Sequence, residues 1–187
     1  AWPAPPPPER PPRLSVFVIT KNEERFLGQC LDSVKGLADQ LIILDTGSTD
    51  RTVAIAREHG AEVCTRAWDD DFSAARNAAL EHATGDWVLF LDADEEVSTE
   101  GRESLRASLR APAAIAYRLP LLNVGHEEDG PCYVFRLFRN APGLFFRWRV
   151  HEQLYPCILQ QRDEWSLEIP VGTALLFPAS TSLVSQR

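Results

Sequence analysis

Along the first half of the chain, short uninterrupted apolar runs alternate with segments whose apolar positions recur every three or four residues. "LSVFVIT", starting at Leu14, is a continuous β-branched and aromatic run, the pattern of a strand buried on both faces. In the following "KNEERFLGQCLDSVKGL", Phe26, Leu27, Cys30, Leu31 and Val34 fall at helical spacing, and Thr20 with Glu23 has capping-box form. "QLIILDTGSTD" predicts a second buried strand closing on Asp45, and "TDRTVAIAREHG" a helix capped by Thr49 and stopped at Gly60. "AEVCTRA" predicts a shorter third strand, "DFSAARNAALEHATG" a helix ending at Gly85, and "WVLFLDAD" a fourth strand. After a short helix around Ser98 to Arg110 the texture changes. "AAIAYRLPLLNV", "CYVFRLFRN" and "LFFRWRV", separated by "GHEEDG" and "APG", read as an antiparallel meander.

Strands alternating with helices of this length require right-handed crossovers and a mainly parallel sheet covered on both faces. The expectation is an α/β domain over residues 14–165. Residues 1–13, "AWPAPPPPERPPR", cannot donate a hydrogen-bond ladder and are expected to be a polyproline-like tail or linker. Residues 166–187 are poorly patterned and are assigned little structure. A length of 187 residues with 44% hydrophobic content suffices for one core. The formal charge of -8 argues against a broad nucleic-acid or anionic-membrane footprint, so any phosphate-bearing ligand must be met locally. Cys30, Cys64, Cys132 and Cys157 lack the close pairing of zinc ribbons or redox motifs and are expected to be buried reduced thiols. No apolar run reaches the roughly 20 residues needed to span a bilayer, and no signal peptide is visible. The expectation is therefore a cytoplasmic protein that touches the inner membrane face at most peripherally. The chain has no methionine, as expected of a fragment or a processed form.

In open α/β sheets ligands sit at the carboxyl ends of the strands. The residues there are Thr20, Asn22 and Glu23, then Asp45, Gly47, Ser48 and Asp50, then Asp69 to Asp71, then Asp92 and Asp94. In "WVLFLDADEEV" the most apolar strand runs straight into four carboxylates, and mutually repelling anions raise the cost of ionisation. A hard divalent cation shared with a diphosphate resolves that repulsion and the anion-on-anion conflict together. Asp92 and Asp94 are two residues apart, so an extended chain points both carboxylates the same way, one toward metal and the other toward sugar hydroxyls. As an isolated pattern, D-x-D is also an ordinary cap or solvated turn. Arg76, on an alanine-rich helix, is either a surface charge lying over the sheet or a nucleotide contact. Arg136, Arg139, Arg147 and Arg149 alternate with aromatics, either on one wet sheet face or toward an anionic ligand. His151 and Glu152 follow the meander as a candidate pair.

Taken together, "LSVFVITKNEERFLGQCLDSV", "LIILDTGSTDRTVAIA", "WDDDFSAARNAAL" and "WVLFLDADEEV" resemble family 2 glycosyltransferases of the GT-A fold, in the same order and spacing. "DFSAARN", "RLFRN" and "RVHEQL" resemble the bacterial branch related to lipopolysaccharide-core glucosyltransferases and peptide S-glycosyltransferases. The resemblance covers about Leu14 to Leu154. It implies a Rossmann-like, mainly parallel sheet flanked by helices, with the antiparallel meander toward the C-terminus. It implies metal-dependent transfer of a sugar from a nucleotide-sugar donor, a UDP-hexose, with inversion, to a saccharide, lipid-linked or peptide acceptor. Thr20 and Asp45 would hold the base and ribose end, with Asn22, Glu23 and Ser48 nearby, and Arg76 would approach the base or diphosphate. Asp92 would contact ribose or metal, Ala93 would lie against the nucleotide-sugar, and Asp94 would bind Mg or Mn. Glu152 would be the base, with Glu127, Glu128 and Asp129 as competitors, and His151 would reach the metal.

Three other readings compete. A haloacid-dehalogenase-type phosphatase also places D-x-D after an apolar strand, but it needs Thr or Val where this chain has Glu96 and a later lysine where none follows Lys35. A nucleotidyltransferase would carry a glycine-rich basic loop after the first strand, which "TKNEERF" is not. A non-catalytic nucleotide-sugar binding module is the other alternative, because scaffold alone does not decide activity.

Overall fold

The computed structural model describes residues 3–6, 9–122, 127–149 and 154–178. β1 (Leu14–Thr20) is buried along nearly its whole length, as its unbroken apolar run demands. It pairs in parallel with β2 (Gln40–Asp45) on one side and β4 (Trp87–Asp92) on the other, so that Phe17 lies level with Ile42 and Phe90. β3 (Glu62–Thr65) adds a parallel edge strand beyond β2. Helices α1 (Leu27–Ser33), α2 (Thr52–Glu58) and α3 (Phe72–Glu81) are the crossovers.

Period-two alternation feeds two separate cores. Val16, Val18, Ile43, Leu89 and Leu91 point to one face, where Leu27, Leu31 and Ala56 of α1 and α2 cover them with Leu105 of α4 (Thr99–Ser108). Phe17, Ile42, Leu44, Val88 and Phe90 point to the other, under Ala75 and Ala79 of α3 and Cys157 and Ile158 of α5 (Tyr155–Trp165). A sheet apolar on both sides cannot remain stable with either face in water, so both must carry helices.

The C-terminal half extends the sheet with reversed strands. β7 (Cys132–Arg139) runs antiparallel to β4, and β6 (Ala116–Leu121) antiparallel to β7, with an irregularity at Tyr117 and Arg118. Two short strands complete the sheet: β8 (Leu176–Pro178) lies parallel to β6, and β5 (Glu95–Val97) antiparallel to β8. The strand order is β3-β2-β1-β4-β7-β6-β8-β5. The described part of the stretch after Trp165, too weakly patterned for assignment from sequence, thus joins β6 to β5. Leu176 and Ala174 are buried in the core it completes.

Several local expectations are corrected. The Thr20 and Glu23 capping box does not form: the Glu23 amide donates to Thr52 Oγ1 at 2.7 Å, and α1 starts only at Leu27. Thr49 does not cap α2; Asp50 Oδ1 accepts from the Thr52 amide at 2.9 Å in its place. "LFFRWRV" is not a third meander strand over its described residues. Asn77 of α3 holds Phe146 with both halves of its amide, accepting from the Phe146 N–H at 2.8 Å and donating to its carbonyl at 2.9 Å. Phe146 then packs edge-on against Phe17, Phe90 and Phe138. Of the four cysteines expected to be buried, only Cys30 and Cys157 are, with Cys64 half-buried and Cys132 exposed.

Candidate active site

The carboxyl ends of β1, β2 and β4 meet at one rim. The loops after β1 and β2 are laced together there. Asp45 Oδ2 accepts from the amides of Gly47 at 3.1 Å and Ser48 at 3.0 Å, a turn that needs the positive φ of Gly47 (107°). Asp45 Oδ1 accepts from the Thr20 hydroxyl at 3.4 Å. Ser48 Oγ accepts from the Asn22 amide at 2.9 Å, and Asn22 Oδ1 from the Thr49 amide at 2.8 Å. Thr20, Asn22, Asp45 and Ser48 are therefore one hydrogen-bonded unit, spread over two loops 25 or more residues apart in sequence. Thr20 and Asp45 are buried, whereas Asn22 is exposed.

β4 sends Phe90 and then Asp92 to the α3 face of the sheet. Arg76, on α3, lays its guanidinium 4.6 Å from the Phe90 ring centre, and Arg136, on β7, does the same. From these positions they close on Asp92 from two sides, Arg76 on Oδ1 at 3.1 Å and Arg136 on Oδ2 at 2.7 Å. Arg136 also donates to Glu95 Oε1 at 2.6 Å, and Glu95 Oε2 accepts from the Asp92 amide at 3.0 Å. Burial pushes the Asp92 carboxyl up, but Arg136 and Arg76 outweigh it and hold the group below the usual carboxylate range. Glu95 is more deeply enclosed; burial wins there over the attraction of Arg136, and its carboxyl sits above the usual range. The neighbouring Cys30 thiol is pushed far up by burial and by Glu95, Glu96, Asp92 and Asp94.

Asp94 has a different environment. It is exposed in the turn between β4 and β5, and no hydrogen-bond donor among the described residues reaches its carboxylate. Across the rim, Glu23 is raised first by burial and then by the charges of Asp94 and Asp50. The rim therefore divides its carboxylates. Asp92 and Glu95 are served by arginines, whereas Asp94 faces other anions. A hard cation shared with phosphate oxygens takes one or two protein carboxylates. Asp94 fits that role, while both oxygens of Asp92 are engaged by guanidiniums in this arrangement. Ala93, between them, is buried.

A cavity of about 450 Å³ opens beside the arginines, lined by Arg76, Phe90, Asp92, Arg136, Phe146 and Tyr155. Its walls combine charge with aromatic faces, which suits a polar ring with an anionic group. Inside it Arg136 keeps its Nε buried with no hydrogen-bond partner among the described residues. Glu95 is given no site role by the sequence, and Arg136 enters there only as one of four arginines that either line a wet sheet face or meet an anionic ligand. The signal was present in the alternation of "VFRLFR", which puts Arg136 on the same face as Phe138.

Other rim candidates have structural work. Asp71 caps α3 by accepting from the Ala74 amide at 2.8 Å, Asp69 pairs with Arg66 at 2.7 Å, and Asp70 accepts from the Trp68 indole at 2.8 Å. Arg139 is buried against Trp87 and donates to the carbonyls of Ala111, Pro112 and Ala114, away from the rim. Arg149 donates to the Asp69 carbonyl. Glu128 and Asp129 lie in a single 3₁₀ turn with Glu127. His151 and Glu152 lie outside the described residues.

Comparison with known proteins gives a consistent picture. The model of Glycosyl transferase family 2 matches residues 15–164. A TPR repeat-containing protein of Synechococcus elongatus is 43% identical over 158 residues, covering 83% of this chain and 39% of the relative. The chain spans less than half the length of the curated relatives it matches. Among solved structures, the mannosyltransferase PcManGT from Pyrobaculum calidifontis, in complex with GDP-Man and Mn2+, superposes with a TM-score of 0.66 at 19% identity, covering 100% of this chain and 61% of that one. Glucosyl-3-phosphoglycerate synthase from Mycobacterium tuberculosis, in complex with Mn2+ and UDP-glucose, does so with a TM-score of 0.63 at 19% identity, covering 87% and 70%. At these identities the two structures establish the shared GT-A fold.

Proposed function

The chain belongs to glycosyl transferase family 2, and we propose that it transfers a hexose from a UDP-hexose donor, with a divalent cation, to an acceptor hydroxyl or thiol, with inversion. The observation that carries this reading is the division of labour at the rim: two arginines neutralise Asp92 while Asp94 stays open among anions. Mn2+ accompanies the nucleotide-sugar in both structural neighbours described above, which supports Asp94 as the residue that holds Mg or Mn. The cation, when bound, would supply charge neutralisation to the diphosphate leaving group.

In this reading the Thr20, Asn22, Asp45 and Ser48 unit holds the base and ribose end, with Glu23 beside it. Because its loops are already tied to each other, little ordering cost remains for nucleotide binding. Asp92 fixes Arg76 and Arg136, whose guanidiniums present N–H donors to the cavity where the sugar and phosphate would lie. Ala93 gives the backbone a close approach. Glu152 removes the acceptor proton, and the Leu154 and Tyr155 that follow it line the cavity. His151 is a second candidate for the cation.

Asp94→Ala is expected to remove metal-dependent nucleotide binding, on the order of tenfold or more in affinity, while the circular dichroism spectrum stays unchanged. Glu152→Gln is expected to keep that binding and lose release of UDP from UDP-glucose. Unchanged binding in Asp94→Ala would overturn the metal assignment. Nucleotide binding with neither transfer nor donor hydrolysis in the native protein would favour a non-catalytic binding module.

A further inference from the structure

At the amino-terminal end of the strands, opposite the acidic rim, Glu62 and Cys64 of β3 and His82, the residue closing α3, bring three ligand atoms within 4.8 Å of one another. We propose that these three side chains form a binding site for a borderline transition-metal ion of the Zn(II) class, separate from the hard-cation position at Asp94.

The geometry is close to what such an ion requires. Zn–N and Zn–O bonds of about 2.0 Å and a Zn–S bond of about 2.3 Å, at tetrahedral angles, place neighbouring ligand atoms roughly 3.3–3.5 Å apart. His82 Nδ1 lies 3.0 Å from Glu62 Oε1, and Cys64 Sγ lies 3.8 Å from the same oxygen. These two separations bracket the required range and all three ligand atoms lie within 4.8 Å of one another, so side-chain shifts of up to about 1 Å complete a three-ligand face with the fourth position left to water. Glu62 and Cys64 are two residues apart on a strand, which puts them on the same side, and β3 is the edge of the sheet, open to approach.

Gln40 supports the set from behind. Its amide donates to Glu62 Oε2 at 3.3 Å and to the His82 carbonyl at 2.9 Å, orienting the carboxylate from an adjacent strand. The donor types choose the ion: thiolate and imidazole favour Zn(II) and its neighbours, whereas Mg(II) and Mn(II) prefer all-oxygen sets. On binding, Cys64 gives its thiol proton to solvent and His82 presents the Nδ1 lone pair. The ion would tie the edge strand to the end of α3. The competing arrangement is a simple His82 and Glu62 ion pair in which Cys64 has no part.

Titration of the metal-free protein with Co(II), followed by thiolate-to-cobalt charge-transfer absorption, separates the two. The expected result is a band that saturates at one equivalent, is bleached by Zn(II) and not by Mg(II), and is absent in Cys64→Ser. His82 is exposed, so His82→Ala tests the site without disturbing packing, and it is expected to weaken Co(II) on the order of tenfold or more. Cys132→Ser is expected to show the same band as the native protein. Absence of the band in the native protein, its survival in Cys64→Ser, or its loss in Cys132→Ser would overturn the assignment.

Discussion

Arg136 holds two carboxylates with one guanidinium, and that places it at the centre of the site's energetics. Glu95 is buried beside it, with its side chain 8% exposed, so removing Arg136 leaves a carboxylate in a low-dielectric pocket with no cation. Arg136→Met is expected to cost about 3–5 kcal/mol of unfolding free energy at neutral pH. The sign of its pH dependence follows from Glu95. A carboxyl raised above its unfolded value contributes stability that is present below the unfolded pKa and lost as pH rises through the folded one. Loss of Arg136 raises Glu95 further, so the defect in urea unfolding should be clearly larger at about pH 8 than at about pH 5. An equal loss at both would mean that Glu95 does not carry it. The individual roles of Asp92, Asp94 and Glu95 were not legible in sequence. Four adjacent acids look alike there, and the arginines that tell them apart lie 16 and 44 residues from Asp92.

Among the elements, those with long periodic patterns were readable, because each strand from β1 to β4 must carry apolar residues on both faces. β5 and β8 were not, since three residues offer too little periodicity and their pairing joins positions about 80 apart. "LFFRWRV" misled because Phe146 fills the core from a loop anchored by Asn77 while Phe145 and Trp148 are exposed, where a strand would have been held by a neighbouring ladder. The approach to β4 depends on Gly85. A Cβ there would lie 2.7 Å from the Ser15 amide nitrogen and 2.9 Å from the Arg13 carbonyl oxygen, both backbone atoms of β1 or its approach. Gly85→Ala should therefore push β4 away from β1 and destabilise the fold by about 1–3 kcal/mol in urea or thermal unfolding. A change within about 0.5 kcal/mol would show that this strand entrance is more yielding than the packing implies.

For the whole molecule, the order of parallel and reversed strands brings loops from the ends of β1, β2 and β4 to one rim and sets the arginine-lined cavity beside it. No helix among the described residues is long and apolar enough to cross a membrane. With a formal charge of -8, any phosphate must be met locally, and Arg76 and Arg136 are the guanidiniums at this rim, both paired there with carboxylates. The donor's metal dependence is the central claim, because it is what the open Asp94 and the occupied Asp92 jointly predict. Calorimetric titration of the protein with UDP, with and without Mn(II), tests it most directly. Saturable heat is expected with Mn(II) present and little or none without it. Equal binding in both conditions, or no binding in either, would contradict it.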